Sequence, residues 1–249
     1  MNDYKINAID SHIHCGIQNV NQSYRSIQPY LKNADIVAAC FFAPVEDIYD
    51  RSDYNFKDNE SWKNCREKAN EYLLRQKSKM FYPYFFVWND FKKDELSKGY
   101  MGIKWHRHSN EPKYLYEDPK CEDFLQEAYR LKLPIVLEEE FENTIYLVER
   151  IHARTTVIIP HLGFLNGGYD KIKKSGIWQN EKVWADTALA DNHEIIDFIK
   201  TYGPDKLIYG SDYPFGIPLI EKNKILSLKI NDADKRNILY KNIQRLLNL

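Results

Sequence analysis

Cysteine is scarce in this chain of 249 residues. Cys15, Cys40, Cys65 and Cys121 are the four, widely spaced and with no C-x-x-C pair. That excludes a disulfide framework and a structural zinc site built from cysteines. Neither sign of charge is in excess: the formal net charge is −1. Composition therefore recommends neither nucleic acid nor a membrane surface as a partner. No apolar run approaches the length of a membrane span, and the N-terminus lacks a charged-then-apolar leader pattern. No Gly-x-Gly-x-x-Gly follows an apolar run, which argues against dinucleotide binding. Internal repeats, linkers and low-complexity tails are also missing. The expectation is a soluble cytoplasmic protein that acts on a small molecule.

Against these absences, 43% of the residues are hydrophobic, enough for a sizeable core. Eight β-type runs punctuate the chain: Tyr4–His14, Asp35–Ala43, Met80–Trp88, Tyr100–His106, Pro134–Glu140, Thr155–His161, Val183–Leu189 and Lys206–Asp212. Several are nearly continuous apolar stretches, as strands buried on both faces of a parallel sheet require. Helical stripes lie between them. One runs from Phe124 to Leu131 and another from Ile145 to Ile151. A third, Ile195–Ile199, follows the N-cap candidates Asp191 and Asn192, and Asp232 is placed to cap the last helix. Alternating strands and helices imply βαβ units. Eight of them in a chain of this length favour closure, so we expect an α/β protein with a single (β/α)8 TIM barrel, regular or distorted, spanning 1–249 as one domain.

In such a barrel the active site lies at the C-terminal ends of the strands, so the polar residues that finish each run matter most. The first run ends Asp10-Ser-His12-Ile-His14. Period-two alternation puts Asp10, His12 and His14 on one face, where two imidazoles can bind one metal ion. The fourth run supplies Lys104, His106 and Arg107, and the fifth Glu138, Glu139 and Glu140. The sixth supplies His161, the seventh Asp186 and Thr187, and the eighth Asp212 after Gly210. Burying so many ionisable groups demands pairing or a metal.

These residues resemble the amidohydrolase superfamily, in the branch that includes aminocarboxymuconate semialdehyde decarboxylase. Asp10-x-His12-x-His14 is similar to its strand-one metal motif, and Pro160-His161-Leu-Gly163 to its strand-six histidine motif. Tyr209-Gly-Ser-Asp212-Tyr-Pro214 is similar to its strand-eight motif, and Lys241-Asn242-Ile-Gln-Arg245 to its closing helix. The departure is at strand five. The family places a histidine after proline and three apolar residues, whereas here Pro134-Ile-Val-Leu is followed by Glu138. Carboxylate is a competent zinc ligand, but its charge lowers the Lewis acidity of the ion.

The resemblance implies one or two divalent ions, zinc by expectation, held by His12, His14, Glu138, Asp212 and His161. Water made acidic by the metal would be the nucleophile, its pKa drawn from 15.7 toward about 7. Asp212 would act as general base and then general acid. His161 would polarise the scissile carbonyl or ligate a second ion. Lys104, His106 and Arg51 are candidates for holding the substrate, and Lys104 could instead sit in a salt bridge or carry a carbamate. The expected reaction is hydrolysis of a small amide, lactone or ester. A non-oxidative decarboxylase on the same site and a barrel that binds without catalysis are the alternatives. The long polar segment Val45–Asn64 is expected to border the mouth as a mobile lid.

Overall fold

The computed structural model describes residues 6–249. Tyr4 and Lys5, the start of the first expected strand, lie outside the described residues. Eight parallel strands follow one another around a single sheet in chain order. They are β1 (Ala8–His14), β2 (Ile36–Phe42), β3 (Phe81–Phe86), β4 (Gly102–His106), β5 (Ile135–Glu138), β6 (Val157–Ile159), β7 (Val183–Asp186) and β8 (Leu207–Ile208). The fold is the (β/α)8 barrel expected from the pattern of runs.

Helices follow most strands: α1 (Tyr24–Asn33), α2 (Glu60–Arg75), α3 (Pro119–Leu131), α4 (Phe141–Ile151), α5 (Tyr169–Ser175) and α6 (Asn192–Tyr202). The chain closes with α7 (Pro218–Ser227), α8 (Asp232–Arg236) and α9 (Asn242–Leu247). The β3–β4 crossover carries only a 3₁₀ segment, Lys93–Lys98. Asp191 caps α6 through a reciprocal box with Glu194, as its position before the apolar stripe predicts. The cap before α8 is Asn231 rather than Asp232, which is instead the first helical residue.

Inside the barrel, Ala38, Cys40, Phe42, Tyr84, Val136, Ile158, Trp184 and Ile208 form one apolar cluster, joined by Ile243 and Leu247 of α9. Further along the same strand faces this layer turns polar. Two residues beyond Val136 stands Glu138, and two beyond Trp184 stands Asp186. The site is thus the next layer above an apolar floor.

Strand β8 is short, and the barrel closes on β1 through its continuation. Ser11 N–H donates to Tyr209 O at 2.9 Å, Asp212 N–H to His12 O at 2.8 Å, and His14 N–H to Tyr213 O at 2.9 Å. Register shifts in β1 between Ala8 and Ile9 and between Asp10 and Ile13 break the strict alternation expected there. One Asp10 oxygen accepts from the backbone N–H groups of His12 and Ser211, so this carboxyl ties β1 to the eighth-strand continuation. Burial raises its pKa to about 7, against the lowering hydrogen bond from Ser211.

Candidate metal centre

Three histidines are oriented from outside. His12 Nδ1–H donates to Asp186 Oδ2 at 2.9 Å, His14 Nδ1–H to Ala43 O at 3.3 Å, and His161 Nδ1–H to Ala188 O at 3.0 Å. Carbonyl and carboxylate oxygens only accept, so each contact fixes the proton on Nδ1 and leaves Nε2 aimed inward. His12 Nε2 and His14 Nε2 lie 3.4 and 3.3 Å from Asp212 Oδ1. His161 Nε2 lies 3.5 Å from Glu138 Oε2. His12, His14 and Asp212 form one group whose ligand atoms could reach a single ion, and His12, Glu138 and His161 form another. Such outer acceptors are what orient histidines that bind metals.

The five residues expected to bind metal therefore converge at one mouth of the barrel, although His12 and Asp212 stand at opposite ends of the chain. Two of them hold unusual backbone. His161 and Asp212 both have φ 55°, in the left-handed region, and Leu162 and Gly163 continue that conformation after His161. Non-glycine residues there cost of order 1–3 kcal/mol and concentrate at functional sites. Backbone bonds hold both in place: His161 N–H donates to Asp186 Oδ1 at 2.8 Å, and Asp212 N–H to His12 O.

Electrostatics suit a cation. Burial drives the His12 imidazole well below its usual pKa, and Lys104 reinforces this, so it is neutral with its Nε2 lone pair turned to the interior. Burial would raise the Asp212 carboxyl, but His12 and His14 outweigh it and hold it below the ordinary range. Burial would likewise raise Glu138, yet His106 and Lys104 keep it well below that range. Burial would lower His161, but Glu138 pulls it up to about 9. The Lys104 ammonium already lies 3.2 Å from His12 Nε2 and 2.8 Å from Glu138 Oε2. The surroundings thus accept positive charge, and the imidazole and carboxylate donors fit a divalent ion.

Above this centre opens a cavity of about 370 Å³. His14, Asp212 and Glu138 reach it, and so do Arg51, His106 and His108. Phe164, Leu165, Leu189 and Phe215 supply apolar wall. Lys104 does not reach it. Its side chain is fully buried behind Glu138, and it is an ion-pair partner there rather than a substrate contact. Arg51 stands on the wall with Nε 2.8 Å from Glu111 Oε1.

The segment expected as a lid borders the cavity through Val45, Glu46 and Arg51. Its first part is packed wall, since Val45, Ile48 and Tyr49 belong to the core. It ends earlier than expected, because Asn59 caps α2 and Glu60 begins the helix. Sequence reasoning left three contributors without a role. Asp186 was visible as a strand end, but its grip on His12 was not. His108 and Glu111 follow β4 in a loop with no periodic signal.

The sequence model of the amidohydrolase family matches residues 145–249. That span holds His161, Asp186 and Asp212. No curated protein matches the chain. Solved structures share its barrel. A 2,6-dihydroxybenzoate decarboxylase from Rhizobium has a TM-score of 0.77 at 14% identity, over 97% of this chain and 98% of that one. A dihydroxybenzoic acid decarboxylase from Polaromonas sp. JS666, solved with manganese and 2-nitroresorcinol, gives 0.72 at 13%, over 98% and 97%. A probable 2-pyrone-4,6-dicarboxylic acid hydrolase from Acinetobacter baumannii gives 0.70 at 15%, over 98% and 100%. At these identities the likeness concerns the fold.

Proposed function

We propose, for a chain whose residues 145–249 match the amidohydrolase family and whose described residues build one barrel, a single-domain metal-dependent hydrolase. Its substrate is a small amide, lactone or ester that carries an anionic group. The carrying observation is the convergence of three Nε2 atoms, each turned inward by an outer acceptor on Nδ1, upon Asp212 and Glu138. His12, His14 and Asp212 hold a divalent ion there, with His161 and Glu138 beside it. Bound at this place, a divalent ion, zinc in this reading, would supply Lewis acidity that polarises a carbonyl and acidifies water.

The chain's own groups do the rest. Asp212 reaches the cavity as a carboxylate, so it takes the proton of the attacking water at Oδ1 or Oδ2 and returns it to the leaving group. Asp186 keeps His12 in the tautomer that leaves Nε2 free. Arg51 on the cavity wall holds the anionic group. His161 acts beneath the cavity, through Glu138 and His12, rather than on the substrate. All four cysteines are free, which agrees with a cytoplasmic setting, and no helix among the described residues is long and apolar enough to cross a membrane.

The test is turnover on a panel of lactones, amides and aromatic carboxylates, before and after chelation and with zinc or manganese restored. We expect release of acid or amine that chelation abolishes. Asp212→Asn should lower it by about 10²–10⁴-fold, the contribution of a placed general base. Release of CO₂ without hydrolysis would make the chain a decarboxylase. Protein that binds no metal and turns over nothing would overturn the reading in favour of a binding role.

A further inference from the structure

We propose that His106, His108 and Glu138 form a second divalent-cation site, on the cavity wall contributed by β4. It shares Glu138 with the centre described above and otherwise stands on its own residues.

His106 Nε2 lies 3.1 Å from Glu138 Oε1, and His108 Nε2 lies 2.8 Å from the same oxygen. The two rings sit 4.7 Å apart and tilted by 47°, so both edges face one point. The ligand atoms of the three residues all lie within 4.8 Å of one another, close enough to surround one ion. The spacing repeats that of His12 and His14: two histidines, two positions apart, at a strand end. Arg107 between them turns away, into ion pairs with Glu139 and Glu140 at 2.8 Å.

Behind the rings stands a buried carboxylate. Glu111 Oε2 lies 3.8 Å from His106 Nδ1 and Glu111 Oε1 lies 3.5 Å from His108 Nδ1. Glu111 is fixed by the Tyr49 hydroxyl at 2.8 Å, Arg51 Nε at 2.8 Å and the His108 backbone N–H at 3.0 Å. His108 Nδ1 also lies 3.4 Å from Arg51 Nη2, which only donates, so that ring carries its proton on Nε2 and donates it to Glu138 Oε1. His106 Nε2 meets the same oxygen, so two imidazole edges converge on one carboxylate oxygen. A divalent ion bound there would replace the protons between the rings and Glu138. His106, His108 and Glu138 all line the cavity, so an ion reaches them from solvent.

Glu138 then has one oxygen for each site. Oε2 faces Lys104 and His161, and Oε1 faces His106 and His108. A histidine at this position could not serve both. The carboxylate that departs from the family pattern thus links two cation sites.

The test is metal stoichiometry of chelator-treated protein titrated with Zn²⁺ by calorimetry, with Co²⁺ absorption as a second readout. Wild type should take up two equivalents, and the double variant His106→Ala/His108→Ala one. The variant His12→Ala/His14→Ala should keep the equivalent at His106 and His108. His108→Ala alone, at a half-buried position, should weaken one equivalent by at least about 10-fold and leave the other, the lower end of what outer-sphere losses cost. Circular dichroism checks that each variant folds. One equivalent in wild type, unchanged in His108→Ala and in the double variant, would overturn the second site and leave the first standing. Two equivalents that survive loss of both His106 and His108 would overturn it as well. No uptake by wild type would overturn both sites.

Discussion

Asp186 grips His12 from behind, with Oδ2 2.9 Å from the imidazole Nδ1, while its other oxygen receives the backbone N–H groups of His161 and Ala188. One buried carboxylate on β7 therefore sets the tautomer of a β1 histidine and the left-handed turn that presents a β6 histidine.

Asp186→Asn keeps the size of that group and removes its charge. Metal affinity should fall by about 10–100-fold, as for outer partners of metal-bound histidines. Competition titration against a chelator of known affinity measures it. Unchanged affinity would reduce Asp186 to a structural residue.

Glu138→Ala should destabilise the protein by about 3–5 kcal/mol in urea titrations, because it leaves the fully buried Lys104 ammonium without its carboxylate. Adding Lys104→Met should recover most of the loss, since the orphaned charge is then gone. Glu138→His should bind more metal than Glu138→Ala. If Glu138 were only the start of a solvated loop, Glu138→Ala would shift stability by no more than about 0.5 kcal/mol.

Metal-stripped protein should lose stability as pH rises from about 6.5 to about 9. The His161 pKa is raised to about 9 in the folded chain, against an ordinary 6.5. A group with a raised folded pKa contributes its stabilisation fully below the unfolded value and loses it as pH passes the folded one. Urea midpoints across that range measure the slope. His161→Asn should flatten it, and an equal slope in the variant would assign it to another group.

Gly210→Ala should press directly on the centre. A Cβ there would stand 3.0 Å from His12 Cβ and 3.1 Å from Ser11 Oγ. Crowding of this kind costs about 1–3 kcal/mol, read as a lower urea midpoint. A variant as stable as wild type would show that β1 can retreat.

Hydrogen exchange should divide the segment after β2. Backbone around Val45–Tyr49, buried in the core, should exchange slowly, and the exposed stretch 52–55 quickly. Uniformly fast exchange would restore the whole segment as a lid.

The barrel was legible in the sequence because apolar runs such as Ile36–Phe42 and Ile135–Leu137 are buried on both faces and leave little ambiguity. The convergence of His12, His14, Glu138, His161 and Asp212 was legible because each ends such a run. What escaped depends on contacts distant in sequence. The grip of Asp186 on His12 spans 174 positions. Lys104 reads as a strand-end cation, and only the packed interior shows it turned beneath Glu138. Register shifts in β1 defeated simple alternation at Asp10, because no periodicity announces a bulge. His108 and Glu111 owe their positions to a loop held by Tyr49 and Arg51, a tertiary arrangement.

The seam between β1 and the continuation of β8 carries a consequence in time. The peptide groups that zip the barrel shut include those of His12, His14 and Asp212 themselves. A growing chain displays the first histidine pair early, yet it lacks Asp212 and the clamp from β7 until late in synthesis. The first centre and the closed barrel therefore come into being together, and a chain that stalls before its eighth strand holds the first histidine pair without the carboxylate that completes their ion site.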